Sequence, residues 1–216
     1  MEEQRLNMVS QLQSRKILES KMIIEAMKKV PRHLFVPLNM KNRAYEDNPL
    51  QIDCGQTISA PHMNAMMCEY LQIEKGQKIL EIGTGSGYHC ALLAEIVGNK
   101  GKIYSIERVP RLAKKASKVL RVLNYDNIEI ITGDGSCGHQ IEAPYDRILV
   151  TAASPQIPEI LIQQLSENGG IMCIPTGKQR WIQDLLVIKR HEHSIEKKCV
   201  SKVIFVPLIG KFGFKE

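Results

Sequence analysis

The spacing of apolar and polar positions divides the chain into helices that alternate with strands. Residues 3–29 predict two helices, and in the second Met22, Ile23, Ala26 and Met27 form an apolar stripe at helical spacing. Pro31 ends that helix. Residues 31–62 hold several prolines and glycines with little periodicity, and an irregular segment is expected there. A helix over 62–72 then leads into Ile79, Leu80 and Ile82, a short apolar run of the kind a buried parallel strand shows. Gly83, Gly85 and Gly87 break this run, and the apolar stretch over 90–97 predicts a helix. Further strands are expected over 102–107, 128–132, 146–151 and 169–175, with a helix near 157–166. Residues 184–190 and 200–207 predict two more strands, an antiparallel pair closing the sheet. Such alternation predicts an α/β, doubly wound, Rossmann-like fold with an N-terminal helical extension. A single domain over 1–216 is expected, with 1–62 as a helical and loop extension covering the active site and 63–216 as the α/β core.

The order strand, glycine turn, helix at 79–97 is the nucleotide-cradling half of a doubly wound sheet. Two features argue against a dinucleotide. The glycines are spaced G-x-G-x-G, and the place where a dinucleotide fingerprint needs its third glycine holds Tyr88. Glu81, at the carboxyl end of the strand, would repel a pyrophosphate but attract a ligand carrying sulfonium and ammonium groups. S-adenosyl-L-methionine carries both. A phosphate loop is excluded because no Gly-Lys-Ser/Thr follows the glycines. Glu107 ends the second strand twenty residues after Gly87, the usual distance for a carboxylate that accepts ribose hydroxyls. The third strand ends at Gly133-Asp134-Gly135, which places Asp134 to cap the adenine edge. Each acid alone reads as a solvated loop carboxylate. Three at the carboxyl ends of successive strands read as one ligand crevice.

Composition narrows the class. At 216 residues and 44% hydrophobic, the chain suits one sizeable soluble domain. No run of some 18 apolar residues is present, and the polar Met1-Glu2-Glu3-Gln4-Arg5 start lacks the apolar centre of a signal peptide. A cytoplasmic protein without a membrane partner is therefore expected. The six cysteines lie singly, with no C-x-x-C pair, so zinc is not expected and buried thiols in a reducing compartment are. The net charge of +6 could favour nucleic acid. The basic residues are dispersed and only one Trp is present, so a solvated surface and no nucleic-acid partner are expected. No interface signal stands out, and a monomer is expected.

One segment is more specific than the glycine loop. Residues 53–63 include Gln56-Thr57-Ile58-Ser59-Ala60-Pro61, which resembles the hallmark of the protein-L-isoaspartate O-methyltransferases. Val30-Pro31-Arg32-His33-Leu34-Phe35-Val36-Pro37, Ala44-Tyr45 with Asp47 and Pro49-Leu50, and Ala152-Ala153-Ser154-Pro155-Gln156-Ile157-Pro158 are similar to the same family, and the likeness runs from about residue 5 to 210. The resemblance implies methyl esterification of the free α-carboxyl of L-isoaspartyl residues in damaged proteins and peptides, using S-adenosyl-L-methionine. The ester closes to succinimide, a route back to normal aspartate. By the same resemblance Ser59 is the catalytic residue, and Gln56, Thr57 and Ile58 close over the cofactor. Glu81, Gly83, Thr84, Gly85, Glu107, Asp134 and Gly135 take cofactor-contact positions. The tail over 211–216 matches the family poorly, which leaves any substrate contact there open.

The chemistry fits these residue types. A carboxylate nucleophile is already ionised at neutral pH, so no general base is required. None is evident in the sequence, where His33, His62, His89 and His139 form no obvious pair with an acid, and His62 reads as orienting a loop or helix start. Alignment and exclusion of water should supply the rate, with Ser59 donating a hydrogen bond to the acceptor carboxylate. The competing reading of Ser59 is a helix N-cap, since Pro61 follows at an early helical position. The fourth strand leads into Thr151-Ala152-Ala153-Ser154, which leaves room for a peptide and lacks an Asn/Asp-Pro-Pro-Tyr amine clamp. The other readings are an RNA-directed methyltransferase, a non-catalytic cofactor-binding homologue, and an NAD-dependent oxidoreductase, the last disfavoured by the glycine spacing.

Overall fold

A computed structural model describes residues 1–179 and 181–215. The chain opens with helices α1 (Glu2–Ser14) and α2 (Lys21–Lys29), and α2 stops before Pro31. The proline- and glycine-rich stretch that follows has short 3-10 turns and one minimal antiparallel pair, β1 (Leu50–Gln51) with β2 (Thr57–Ile58). Helix α3 (Pro61–Leu71) then leads to β3 (Lys78–Ile82), α4 (Tyr88–Val97), β4 (Lys102–Glu107), α5 (Pro110–Val122) and β5 (Ile128–Thr132). Next come β6 (Arg147–Val150), α6 (Glu159–Gln164), β7 (Gly170–Thr176), β8 (Gln183–His191) and β9 (Ser194–Val203).

Seven strands form one sheet in the order β5-β4-β3-β6-β7-β8-β9. The first five in that order are parallel, and β8 and β9 add antiparallel strands at one edge. The chain reverses direction at β3, which pairs with β4 on one side and β6 on the other. In doubly wound sheets such a switch point leaves a crevice at the carboxyl ends of the strands.

Side chains alternate across the sheet and bury two cores. Ile79, Ile103, Leu149 and Cys173 face a cluster built with the N-terminal helices and α4. Leu80, Ile82, Ile148, Val150, Met172 and Ile174 face the other, with Leu161 and Ile162 of α6. The Rossmann-like architecture expected from the apolar pattern is the one observed. Helix α5 escaped that pattern because it is mostly charged outside, yet Leu112, Ala113, Ala116 and Leu120 supply a buried face after a helix-starting Pro110. The last two strands form a tight hairpin, so β9 begins six residues before the expected 200 and ends at Val203.

Candidate active site

The crevice at the switch point is lined by Gly83 and Gly85 after β3, Ile106, Glu107 and Val109 after β4, Gly135 after β5 and Thr151-Ala152 after β6. Gln56 and Thr57 of the β1–β2 hairpin and residues 206–209 complete it. Gly83 stands at φ +96, and a Cβ there would collide with Thr151 Oγ1. Only glycine supplies both the angle and the clearance. A Cβ on Gly135 would lie 2.6 Å from Ile82 Cγ2, so the backbone there forms one bare wall of the crevice.

Glu107 is the carboxylate that lines this crevice. Gly85 N–H donates to its Oε2 at 2.8 Å and Val109 N–H to its Oε1 at 2.9 Å. These bonds fix the group in place, and each oxygen keeps a lone pair for a ligand. Glu81 sits elsewhere. It shares the face of β3 with Ile79, is completely buried, and accepts from Ser105 Oγ at 2.5 Å. Its Oε1 finds no hydrogen-bond partner among the described residues. Burial raises its pKa to about 7, with neighbouring Glu107 adding to the rise and bonds from Ser105 and Cys90 opposing it. Thr84 joins the same buried chain, its Oγ1 2.6 Å from Ser105 Oγ. Glu81 and Thr84 thus stand behind the glycine turn rather than in the crevice wall.

Asp134, expected to cap the adenine edge, is not among the residues that line the crevice. Its carboxylate accepts from Ser136 N–H at 2.9 Å, Ser136 Oγ at 2.7 Å and Lys211 N–H at 2.7 Å. Burial opposes its ionisation, but these donors prevail and hold its pKa below the usual value. The side chain ties the tail to the β5 turn, while the backbone of neighbouring Gly135 faces the crevice.

A second cavity of about 450 Å³ adjoins the first and shares Thr57, Thr151 and Val206 with it. Ser59, His62, Met63, Lys202 and Phe205 are among its walls, and no carboxylate lines it among the described residues. Ser59 does not cap α3. The N-cap is Ala60, and no side-chain cap bond forms. Instead Arg32 holds Ser59 by its carbonyl, from NH2 at 2.7 Å, and no described residue holds its hydroxyl.

Sequence reasoning missed the supports of this segment. Arg32 is fully buried, donates also to Ala44 O at 2.8 Å and Asn64 Oδ1 at 3.2 Å, and lies 4.8 Å from the centre of the Tyr88 ring. Burial lowers its pKa to about 10, partly offset by the field of Tyr88 and Asp47. Its ring of acceptors crosses 12 to 32 residues of chain, so only folding assembles it. The sequence also showed no acid paired with a histidine. Folding brings Asp47 Oδ1 within 2.8 Å of both the backbone N–H and the Nδ1 of His62. Asp47 satisfies an orphan donor at the start of α3, consistent with a helix-start role for His62.

The comparisons agree with this geometry. The family model for protein-L-isoaspartate(D-aspartate) O-methyltransferase matches residues 3–213. The chain belongs to this family. A protein-L-isoaspartate O-methyltransferase 2 from Archaeoglobus fulgidus is 54% identical over 197 residues, covering 91% of this chain and 89% of the relative. A Methanothermobacter thermautotrophicus protein-L-isoaspartate O-methyltransferase is 50% identical over 216 residues, 100% of this chain and 99% of the relative. Among solved structures, a Plasmodium falciparum protein described as a protein-L-isoaspartate O-methyltransferase, in complex with S-adenosyl-L-homocysteine, superposes with a TM-score of 0.82 at 27% identity. It covers 95% of this chain and 98% of that one.

Proposed function

We propose that this chain methylates the α-carboxyl of L-isoaspartyl residues in damaged proteins and peptides, using S-adenosyl-L-methionine, and so serves protein repair. Family membership carries the activity. The observation that carries the site is a carboxylate-lined crevice opening onto a second cavity that holds Ser59 and no carboxylate.

The crevice suits the methyl donor. Glu107 would accept the ribose hydroxyls, Gly83 and Gly85 would lie against the ligand as bare backbone, and Gly135 would flank the adenine with Asp134 anchoring the turn that presents it. Gln56, Thr57 and Ile58 of the β1–β2 hairpin would cover the donor, and the buried Glu81–Ser105–Thr84 chain would set the glycine turn from behind. Bound S-adenosyl-L-methionine supplies a methyl group activated by a positive sulfonium.

The rest of the work is positioning. The acceptor carboxylate enters a cavity free of carboxylates, where no fixed anion repels it. Arg32 fixes the Ser59 backbone, so the hydroxyl is presented to one carboxylate oxygen from a rigid support. Residues 203–206 also wall the cavity and help exclude water. The thiols of Cys68, Cys90 and Cys173 are free and buried, which supports a cytoplasmic, reducing setting. No described helix is long and apolar enough to cross a membrane. The enzyme is read as a monomer without a nucleic-acid partner, since its basic residues are dispersed and the chain has a single Trp.

The test is methyl transfer from labelled donor to matched isoaspartyl and aspartyl peptides, with transfer RNA as a third acceptor. Label is expected on the isoaspartyl peptide alone. Label on RNA, or equal labelling of both peptides, would overturn the reading.

A further inference from the structure

One buried histidine has no part in the chemistry described above. His89 lies in the first turn of α4, the helix that follows the glycine turn of the crevice. Its Nδ1 lies 3.1 Å from Asn64 Nδ2 and its Nε2 3.3 Å from Cys68 Sγ. Asn64 and Cys68 stand four residues apart on α3 and so share one face of that helix. Asn64 Oδ1 accepts from Arg32 Nη1 at 3.2 Å, and Arg32 Nη2 reaches Ser59 O at 2.7 Å. Arg32, Asn64, Cys68 and His89 are all buried. Chemistry fixes the direction of each bond in this chain. A guanidinium only donates, so the amide oxygen of Asn64 faces it. The amide nitrogen then faces His89, and because it too only donates, Nδ1 is the accepting nitrogen. The ring proton sits on Nε2 and is donated to Cys68 Sγ. Burial, with Arg32 nearby, lowers the His89 pKa to about 3, so the ring is neutral as this tautomer requires.

We propose that Asn64 and His89 are positioning residues for methyl transfer, which lock the Arg32 fork that holds Ser59 and so set the acceptor oxygen against the methyl group of the donor. The inference rests on the isoaspartyl reading above, in which the Ser59 hydroxyl acts on the acceptor carboxylate. Nε, Nη1 and Nη2 of Arg32 donate to Ala44 O, Asn64 Oδ1 and Ser59 O. The guanidinium is a rigid plane, so losing the Asn64 acceptor lets the plane turn and the Ser59 carbonyl turn with it. His89 acts one step further out. Without its lone pair the Asn64 amide is free to turn over and present its NH2 to the guanidinium, donor against donor. The far end of the chain is the start of α4, directly after the turn that carries Gly83 and Gly85. The chain therefore ties the residue that orients the acceptor to the element that cradles the donor.

Side-chain nitrogen NMR and the kinetics of three variants test this. The wild-type spectrum should show His89 with its proton on Nε2 and a bare Nδ1. Asn64→Asp should put a proton on Nδ1, because a carboxylate accepts where the amide donated. His89→Phe keeps a ring and removes the lone pair. A displacement of about 1 Å at the reacting atoms costs up to about 10²-fold, so this variant should lower kcat on an isoaspartyl peptide about tenfold. Donor affinity in calorimetry should not change. Asn64→Leu should behave alike, and Asn64→Asp, which keeps an acceptor for Arg32, should recover part of the loss. A double-mutant cycle separates positioning from general loosening: with Ser59→Ala already present, His89→Phe should cost less than about twofold. A wild-type proton on Nδ1 overturns the proposal, as does an Asn64→Asp spectrum with Nδ1 still bare. Unchanged kcat in His89→Phe overturns it too, as does the same loss with and without the Ser59 hydroxyl, or donor affinity that falls in step with kcat. If His89→Phe melts early, the two spectra and Asn64→Leu still decide. Absence of wild-type turnover on the isoaspartyl peptide would instead sink the isoaspartyl reading, and the tautomer result would stand apart from it.

Discussion

At the scale of single residues, the two cavities divide the labour between Glu107 and Ser59. The carboxylate of Glu107 is held by the backbone N–H groups of Gly85 and Val109, so it is placed before a ligand arrives. Charge-assisted hydrogen bonds contribute about 1.5–3 kcal/mol each. Glu107→Ala should therefore weaken donor binding at least about tenfold in calorimetry, and unchanged affinity would remove this residue from the ribose site. Ser59 has its carbonyl fixed by Arg32, and no described residue claims its hydroxyl. Ser59→Ala should lower kcat about ten- to a hundredfold, the loss of one hydrogen bond to a charged group, with little change in donor affinity. Equal losses in both quantities would mean that the hydroxyl is only structural.

Among the elements, the turn after β3 is the least replaceable. Gly83 combines φ +96 with a Cβ direction blocked by Thr151. Gly98 provides an internal control, with φ +68 and nothing within 4 Å of a built Cβ. Gly98→Ala should cost about 1–3 kcal/mol, the backbone penalty alone, because its φ +68 and ψ −174 fall in a region that essentially only glycine adopts. Gly83→Ala should cost clearly more in denaturant unfolding and should also weaken donor binding, because Thr151 must move into the crevice. Similar values for the two variants would show that the collision is relieved without consequence. The neighbouring helix start depends on a tertiary contact instead of a local cap. Ala60 offers no side-chain acceptor, and Asp47 supplies one from 15 residues away.

Across the whole molecule, burial of two ionisable groups sets opposing pH dependences. Glu81 is raised to about 7 by burial, so between 4.5 and 7 the folded protein binds a proton that the unfolded chain releases. Stability from this group falls as pH rises through that window, by on the order of 3 kcal/mol in total. His89 is lowered to about 3 by burial and by nearby Arg32, so below 6.5 the unfolded chain binds the extra proton and stability falls as pH drops. The two slopes oppose each other between 4.5 and 6.5, and His89 alone acts below. Glu81→Gln should therefore gain melting temperature over the parent at pH 8 and gain little or nothing at pH 5. A constant difference across pH would mean that Glu81 is ionised in the folded protein at both values.

The strand ends that build the crevice were legible from residue pattern alone, because short apolar runs broken by glycine or acid admit few other arrangements. Glu107 twenty residues after Gly87, and Gly135 after the third strand, follow from chain order, since a parallel sheet brings successive strand ends to one edge. The Gln56–Ser59 segment was legible only by resemblance, since nothing in its own periodicity marks it as a site. Side-chain direction was the part that required folding. A strand residue's face is fixed relative to neighbours it meets only in the sheet, so the sequence could not turn Glu81 inward with Ile79 or commit Asp134 to Lys211. Helix α5 was hidden by its charged outer face. Arg32 with Ser59 and Asp47 with His62 are meetings across 27 and 15 residues of irregular chain. No local rule links such positions, and only the packing of α2, α3 and the intervening loop brings them together.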